Sequence, residues 1–361
     1  MNIPLKHALL ALIVAATSVA ARAEVNVTSW GGAYTGSQQK AYADTWKKGK
    51  VKFINYEGGL DEIKKQVASG SVTWDIVDVL SHEARLGCDE GLFEELDRSM
   101  FTPTVDGTSM DDDMLVPLPN DCVVPQVLWS YVPFYEEDTF VGEKPTTIAD
   151  FFNVKKFLGK RGIHTWPKAL IEMALLADGV SVKEVYNVMS TDEGIDRAFM
   201  MLDKIKDHAV FWSSGAEPIK LVKSGQVSMS LAFNDRIGAA VLSENEKFVT
   251  VWDGQVLEED WLVLLKGAPN AEEAMKFLVH ASAPEQQAGL AHFINYGPMR
   301  QSALKIIQAG EPWFHNGKNI MEHLPSRAEV MSRSIVADSD WWADFGEPVN
   351  ERYTAWMAQN F

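Results

Sequence analysis

Short apolar runs rich in β-branched residues alternate with segments of helical period along most of the chain. That rhythm restricts the fold to an α/β architecture built largely on parallel strands. Residues 25–30 alternate as a strand and 37–47 read as a helix. Strand 51–56 is followed by helix 60–68, which carries Leu60, Ile63 and Val67 on one face. The run 74–80 is almost continuously apolar, as in a strand buried on both faces, and a helix opens over 83–88. Further strands are expected over 126–134, 161–165, 209–212, 227–233, 249–252 and 261–266. Helices are expected from Thr147 and over 168–177, 193–205, 217–224, 237–244, 271–280 and 285–291, with a Trp-rich helical tail. The pattern predicts an α/β fold with two sheets flanked by helices.

The strand ends carry the chemistry. Several stop at an aromatic, Gly, Ser or Thr and pass into a helix: Trp30, Leu80 with Ser81, Thr165 with Trp166, Trp212 with Ser213, and Phe233 with Asn234. In open α/β sheets ligands bind outside the carboxyl ends of strands, where helix starts offer N–H groups and a positive dipole end. Trp30-Gly31-Gly32-Ala33-Tyr34 is a glycine turn flanked by aromatics. His82, just past a strand end, is either a ligand contact or a structural histidine.

Residues 1–23 read as a secretory leader. Lys6 and His7 precede an apolar stretch of about 14 residues, against roughly 20 for a membrane span. Ala21-Arg22-Ala23 fits a small-x-small cleavage pattern before Glu24. No cysteine stands at the cleavage point to carry a lipid. The net charge of −17 becomes about −19 once Lys6 and Arg22 are removed, which argues against nucleic acid and anionic membrane partners. Acidic surface charge mainly serves solubility, and it is also compatible with a cationic or zwitterionic ligand. Two cysteines in an exported chain, Cys88 and Cys122, suggest one bridge; the competing arrangement is two free buried thiols.

The segments Val27-Thr28-Ser29-Trp30-Gly31-Gly32-Ala33-Tyr34, Trp74-Asp75-Ile76-Val77-Asp78-Val79 and Gly91-Leu92-Phe93-Glu94-Glu95-Leu96-Asp97 come in that order. They are followed by Ser224-Gly225-Gln226-Val227, Asp260-Trp261-Leu262, a helix start at Pro269, and Ile294-Asn295-Tyr296-Gly297-Pro298. In this order and spacing, across the mature chain, the sequence resembles the spermidine/putrescine-type periplasmic solute-binding proteins of ABC importers. The resemblance implies a type II periplasmic binding fold: two α/β lobes joined by two crossing segments, near 129–134 and 251–260. Lobe 1 would comprise 24–128 and 260–298, and lobe 2 would comprise 129–259 and 299–361. It also implies a periplasmic monomer without cofactor, working with membrane permease and ATPase subunits. Both cysteines would lie in lobe 1.

Carried over by position, an aromatic box falls on Trp30, Tyr34, Phe233 and Tyr296, suited to an amine through cation–π attraction. Asp260 matches an acid that holds an ammonium. Glu258 lies beside it, and Glu259 is expected in a solvated charge run. With 12 tryptophans in the chain, most must be core. Trp129, Trp166 and Trp212 stand between core and site, and Trp341, Trp342 and Trp356 read as core.

The sequence departs from the polyamine pattern after residue 164, where Thr165-Trp166-Pro167-Lys168-Ala169-Leu170 has no acid before Glu172. A second amine would lack its counter-ion there. Arg236 offers a planar fork for a carboxylate, with Thr165 and Ser213 as helix-start donors; its competing role is an ion pair with Asp235. The expected ligand is a small zwitterion such as 4-aminobutyrate, with a linear polyamine as the alternative.

No Gly-x-Ser-x-Gly, His-Glu-x-x-His or phosphate-loop motif occurs, and the eight histidines lack metal-ligand spacing. An enzyme is therefore not expected. Iron receptors related to this family use paired tyrosines, and no Tyr-Tyr is present.

Overall fold

The computed structural model describes residues 24–359. The expected leader and its cleavage point lie outside the described residues. Among the described residues, ten strands form one hydrogen-bonded sheet: β1 (Glu24–Ser29), β2 (Lys50–Asn55), β3 (Ile76–Leu80), β4 (Val123–Glu136), β5 (Arg161–His164), β6 (Ala209–Trp212), β7 (Met229–Phe233), β8 (Phe248–Thr250), β9 (Val256–Leu264) and β10 (Ile335–Val336). The order is β2-β1-β3-β9-β4-β7-β5-β6, with β8 beside β4 and β10 beside β9. Within each half the outer strands are parallel (β1 with β2 and β3, β5 with β6 and β7), whereas β9 runs antiparallel to β3 and β4, β4 antiparallel to β7 and β8, and β10 parallel to β9.

The two expected sheets are therefore joined. β4 is long enough to pair with β9 through Val123–Tyr131 and with β7 through Tyr131–Phe134. Near-continuous burial of β3, β4 and β9 follows from their Val/Leu content and from helices on both faces. One core gathers Phe151, Leu170, Trp212 and Leu231 with Tyr353 and Trp356 of the final helix Ser339–Ala358. The other half is packed on both sheet faces, by Tyr42, Trp46 and Phe277 on one side and Ile63, Phe93 and Trp261 on the other. Asp75 fastens this half: it accepts from the N–H of Asn26 in β1 and the N–H of Asn270, which opens the helix Ala271–Ala281.

Several boundaries differ from the sequence expectation. Asp260 sits inside β9 rather than before a strand at 261, because the whole stretch from Val256 finds partners in β4. The helix after β7 starts at Asn234, not Ile237, so the chain turns directly from Phe233 into a helix. The first helix spans Gly32–Gln38 and widens into a π-helical stretch over Gln39–Ala43, where the Asp44 N–H reaches back five residues to the Gln39 carbonyl. Among the described residues, no helix is long and apolar enough to cross a membrane.

Cys88 and Cys122 are bridged, with Cα atoms 5.9 Å apart. Closing a loop of 34 residues removes chain entropy from the unfolded state worth about 3–4 kcal/mol. A Cys88→Ala/Cys122→Ala variant should lose that amount in urea unfolding and keep its ligand affinity, since neither residue lines the cavity described below.

Candidate functional site

A cavity of about 460 Å³ opens where the two halves of the sheet meet, lined by Trp30, Tyr34, Leu80, Trp129, Phe233, Asp235, Arg236, Asp260 and Tyr296, among others. Each wall has a local cause. Trp30 and Tyr34 leave β1 through Gly31 and Gly32, both at positive φ, a turn that residues with a Cβ rarely adopt. The Trp30 ring rests on Gly58, where a Cβ would come within 2.8 Å of it, and packs against Tyr56 with centroids 5.1 Å apart.

Tyr296 is held by a doubly anchored loop. Gly297 and Leu128 exchange backbone hydrogen bonds of 2.8 and 2.9 Å. The Asn234 and Asn295 side chains each donate to the other's backbone carbonyl at 2.9 Å. Phe233 packs edge-on to Trp129 at 5.7 Å, and Tyr296 edge-on to Tyr34 at 5.5 Å. The four box residues expected from sequence thus come together, joined by Trp129 from β4.

The floor of this box is acidic. The Asp260 carboxylate, 5% exposed, accepts from Trp129 Nε1 at 2.9 Å and lies 3.3 Å from the Tyr34 hydroxyl. Behind Tyr34 is Asp78, fully buried. It accepts from Tyr34 at 2.8 Å, Gln38 Nε2 at 2.7 Å and Trp30 Nε1 at 3.1 Å. The antiparallel register of β3 on β9, Asp78 opposite Leu262 and Leu80 opposite Asp260, sets both acids on one sheet face. Burial pushes both carboxyls well above the usual carboxylate range, and for Asp260 the nearby Asp78 charge adds to it.

The opposite end is basic. Arg236, in the first turn of the helix Asn234–Glu244, keeps more than half of its side chain exposed. Its Nε is 3.5 Å from the Asp235 carboxylate. Burial raises the Asp235 carboxyl, while Arg236 and a hydrogen bond from the Tyr296 hydroxyl oppose that rise.

Five sequence candidates fall outside the cavity. The Ser81 hydroxyl donates to Glu259 at 2.8 Å, and His82 is exposed. Trp166 stacks on His164 at 4.1 Å with 47% of its surface exposed. The helix-start donors are already engaged: the Thr165 N–H donates to the Trp212 carbonyl at 3.0 Å, and the Ser213 N–H to the Glu217 carboxylate at 2.8 Å. Glu259 is not in a solvated charge run. It is buried, and its carboxylate accepts from Ser81 and from Trp261 Nε1. Glu258 is also buried and pairs with Lys168 at 2.6 Å. Asp78, Asp235 and Trp129 are the lining or supporting residues that sequence reasoning did not select. The one available signal for Asp78 was an acid inside an otherwise apolar strand.

The sequence profile of bacterial extracellular solute-binding proteins matches residues 39–321. The chain is 36% identical to the gamma-aminobutyric acid-binding protein of Pseudomonas aeruginosa over 355 residues, 97% of this chain and 96% of that protein. Among solved structures, an ABC transporter substrate-binding protein from Bradyrhizobium japonicum USDA 110 is 32% identical with a TM-score of 0.78, covering 93% of this chain and 99% of that one. The GABA receptor Atu4243 is 29% identical with a TM-score of 0.74, covering 93% and 98%. Its two-halved sheet, its cavity at the junction and these matches agree: the chain belongs to the bacterial extracellular solute-binding protein family.

Proposed function

We propose that this protein is the substrate-binding component of an ABC importer and that it captures a small zwitterion, 4-aminobutyrate first among them. The observation that carries this reading is one cavity with two poles: the buried Asp260 carboxylate ringed by Trp30, Tyr34, Trp129 and Tyr296, and the Arg236 guanidinium across from it. An ammonium gains from both the carboxylate and the ring faces. A carboxylate a few methylenes away meets a planar fork of donors. The similarity to two proteins named for gamma-aminobutyric acid points the same way.

A linear diamine is the second reading, and one observation favours it. Asp235 also lines the cavity and is largely buried, so it would face a second ammonium if Arg236 turned outward.

The lobes are proposed to divide at β4 and β9, the strands shared by both halves. The resemblance assigns 299–361 to the second lobe. The final helix packs there, but Gln301–Ala309 packs on Pro284–Leu290 and Arg300 pairs with Asp113 at 2.8 Å. We therefore take residues 299–309 to move with the first lobe. Export to the periplasm through cleavage before Glu24, a monomeric state, and docking to permease and ATPase subunits complete the proposal.

The test is a thermal-shift panel on residues 24–361 with 4-aminobutyrate, 5-aminovalerate, putrescine, spermidine, betaine and α-amino acids. A ligand at 100 times its Kd adds about 2.7 kcal/mol, which reads as a rise of a few degrees. Stabilisation by an ω-amino acid and not by putrescine is the expected result. Stabilisation by polyamines alone would transfer the assignment to the diamine, and no stabilisation by any compound would discard both ligands.

A further inference from the structure

Asp78 belongs to no expected ligand contact, yet it is the most heavily hydrogen-bonded acid around the cavity. Its partners have fixed orientations. Gln38 Oε1 accepts from the Ser29 hydroxyl at 2.6 Å, which turns Gln38 Nε2 toward Asp78. Gln126 Oε1 accepts from the Tyr42 hydroxyl at 3.1 Å, which turns Gln126 Nε2 toward the Tyr34 oxygen, also at 3.1 Å.

The Tyr34 oxygen thus has three polar neighbours: one donor, Gln126, and two carboxylate oxygens, Asp78 Oδ2 and Asp260 Oδ2. A phenol carries a single proton. If it donates to Asp78, the second carboxylate contact is a hydrogen bond only when Asp260 itself holds a proton directed at Tyr34. Two ionised carboxylates around one hydroxyl would leave an unshared repulsive contact in a buried site.

Among the described residues, neither carboxylate is paired with a cation: their partners are Tyr34, Trp30, Gln38 and Trp129. Among the described residues, the charged groups acting on the pair are Glu83, from the helix Ser81–Asp89, and Glu258, two residues along β9. Glu83 is already held by the N–H groups of Gly59 and Leu80, and Glu258 by Lys168. Tyr42, Tyr56 and Tyr296 face the pair as neutral phenols, and Tyr56 donates to the Asp78 backbone carbonyl. Arg236 stands at the far pole with Asp235.

We propose that Asp78 is a positioning acid of the cation site: with Asp260 it shares one proton across Tyr34 in the unliganded protein, and capture of the ligand's ammonium releases that proton to solvent. The ligand keeps its own protons, and the pair passes from one negative charge to two as the ammonium takes the place of the shared proton. Through Trp30 and Tyr34, Asp78 also fixes two walls of the box. The ligand half of this inference rests on the function proposed above.

Calorimetry of 4-aminobutyrate binding at pH 6 and pH 8, in buffers of different ionisation enthalpy, counts the proton. The wild type should release close to one proton at pH 6 and much less at pH 8, with affinity falling by up to tenfold per pH unit on the acid side. Asp78→Asn leaves Asp260 without its like-charged neighbour, so proton release at pH 6 should shrink and the pH profile flatten. A purely structural role would lower affinity equally at every pH. No proton exchange in the wild type between pH 5 and 8, or an unchanged count in Asp78→Asn, overturns the proposal.

A second arm needs no ligand. A carboxyl raised in the folded state contributes stability below its unfolded value, and that contribution is lost as pH rises through the folded value, which burial raises for both acids of the pair. The Tm of Asp78→Asn relative to wild type should therefore climb from pH 5 to pH 8, and Asp260→Asn should behave alike. A pH-independent difference in both variants would overturn the pair. If 4-aminobutyrate fails to bind at all, the proposed ligand falls while this arm still decides on the shared proton.

Discussion

Asp260→Asn is expected to weaken 4-aminobutyrate binding by roughly 10²–10⁴-fold without loss of the fold. The ammonium would enter a buried box whose wall acid has become a neutral amide. Breaking a buried, hydrogen-bonded charge pair on one side costs on the order of 3–5 kcal/mol, which is that range of affinity. The same substitution should raise the stability of the unliganded protein at pH 8. There the wild type holds a desolvated carboxyl beside Asp78, whereas asparagine of nearly the same shape still accepts from Trp129 Nε1. Below the usual carboxylate range the advantage disappears, because both acids are then protonated in the folded and unfolded states alike. Loss of function together with a gain in stability is the signature of a group kept for binding. Calorimetry paired with thermal unfolding at two pH values reads both. Wild-type affinity in the variant would remove Asp260 from the site.

Arg236→Ala should lower 4-aminobutyrate affinity by roughly 10²-fold or more, and should leave putrescine affinity unchanged or improved. A guanidinium gives a carboxylate two parallel charge-assisted hydrogen bonds, and removing them strands the ligand's anion near Asp235. Arg236→Lys, which keeps the charge but not the fork, should recover part of the loss. Little stability is at stake: the pair with Asp235 spans 3.5 Å on a guanidinium more than half exposed, so screening holds its contribution within about 1 kcal/mol. Titration calorimetry with both ligands separates the readings. Loss for the amino acid alone supports the zwitterion. Unchanged binding of both would confine Arg236 to its partnership with Asp235.

The wider consequence concerns how one fold is set for one ligand class. Lys168 neutralises Glu258, and backbone N–H groups hold Glu83. Asp78, Asp260 and Glu259 have no cationic or backbone N–H partner among the described residues, and of these Glu259 is satisfied away from the cavity by Ser81 and Trp261. Selection for one ammonium would then follow from charge balance around the cavity as much as from its shape.

Alternation of strand and helix, the glycine turn after β1, the aromatic strand ends at Trp30 and Phe233, and the acid at Asp260 were all legible in the sequence. Each depends on local periodicity, turn chemistry or side-chain type at a strand end, and these are written in neighbouring residues. Arg236 was legible for a similar reason, standing one turn into the helix that Phe233 enters.

Tertiary structure alone decided which charges are buried and what they meet. Glu259 belongs to a run of three acids that reads as solvated, yet β9 carries it between β3 and β4, where Ser81 and Trp261 satisfy it. Thr165 and Ser213 look like free anion donors until the pairing of β5 with β6 and the fold-back of Glu217 engage their N–H groups. Asp78 comes to lie beside Asp260 only because of the antiparallel register of β3 on β9. The cost of burying a charge is fixed by partners distant in the chain, so no local pattern contains it.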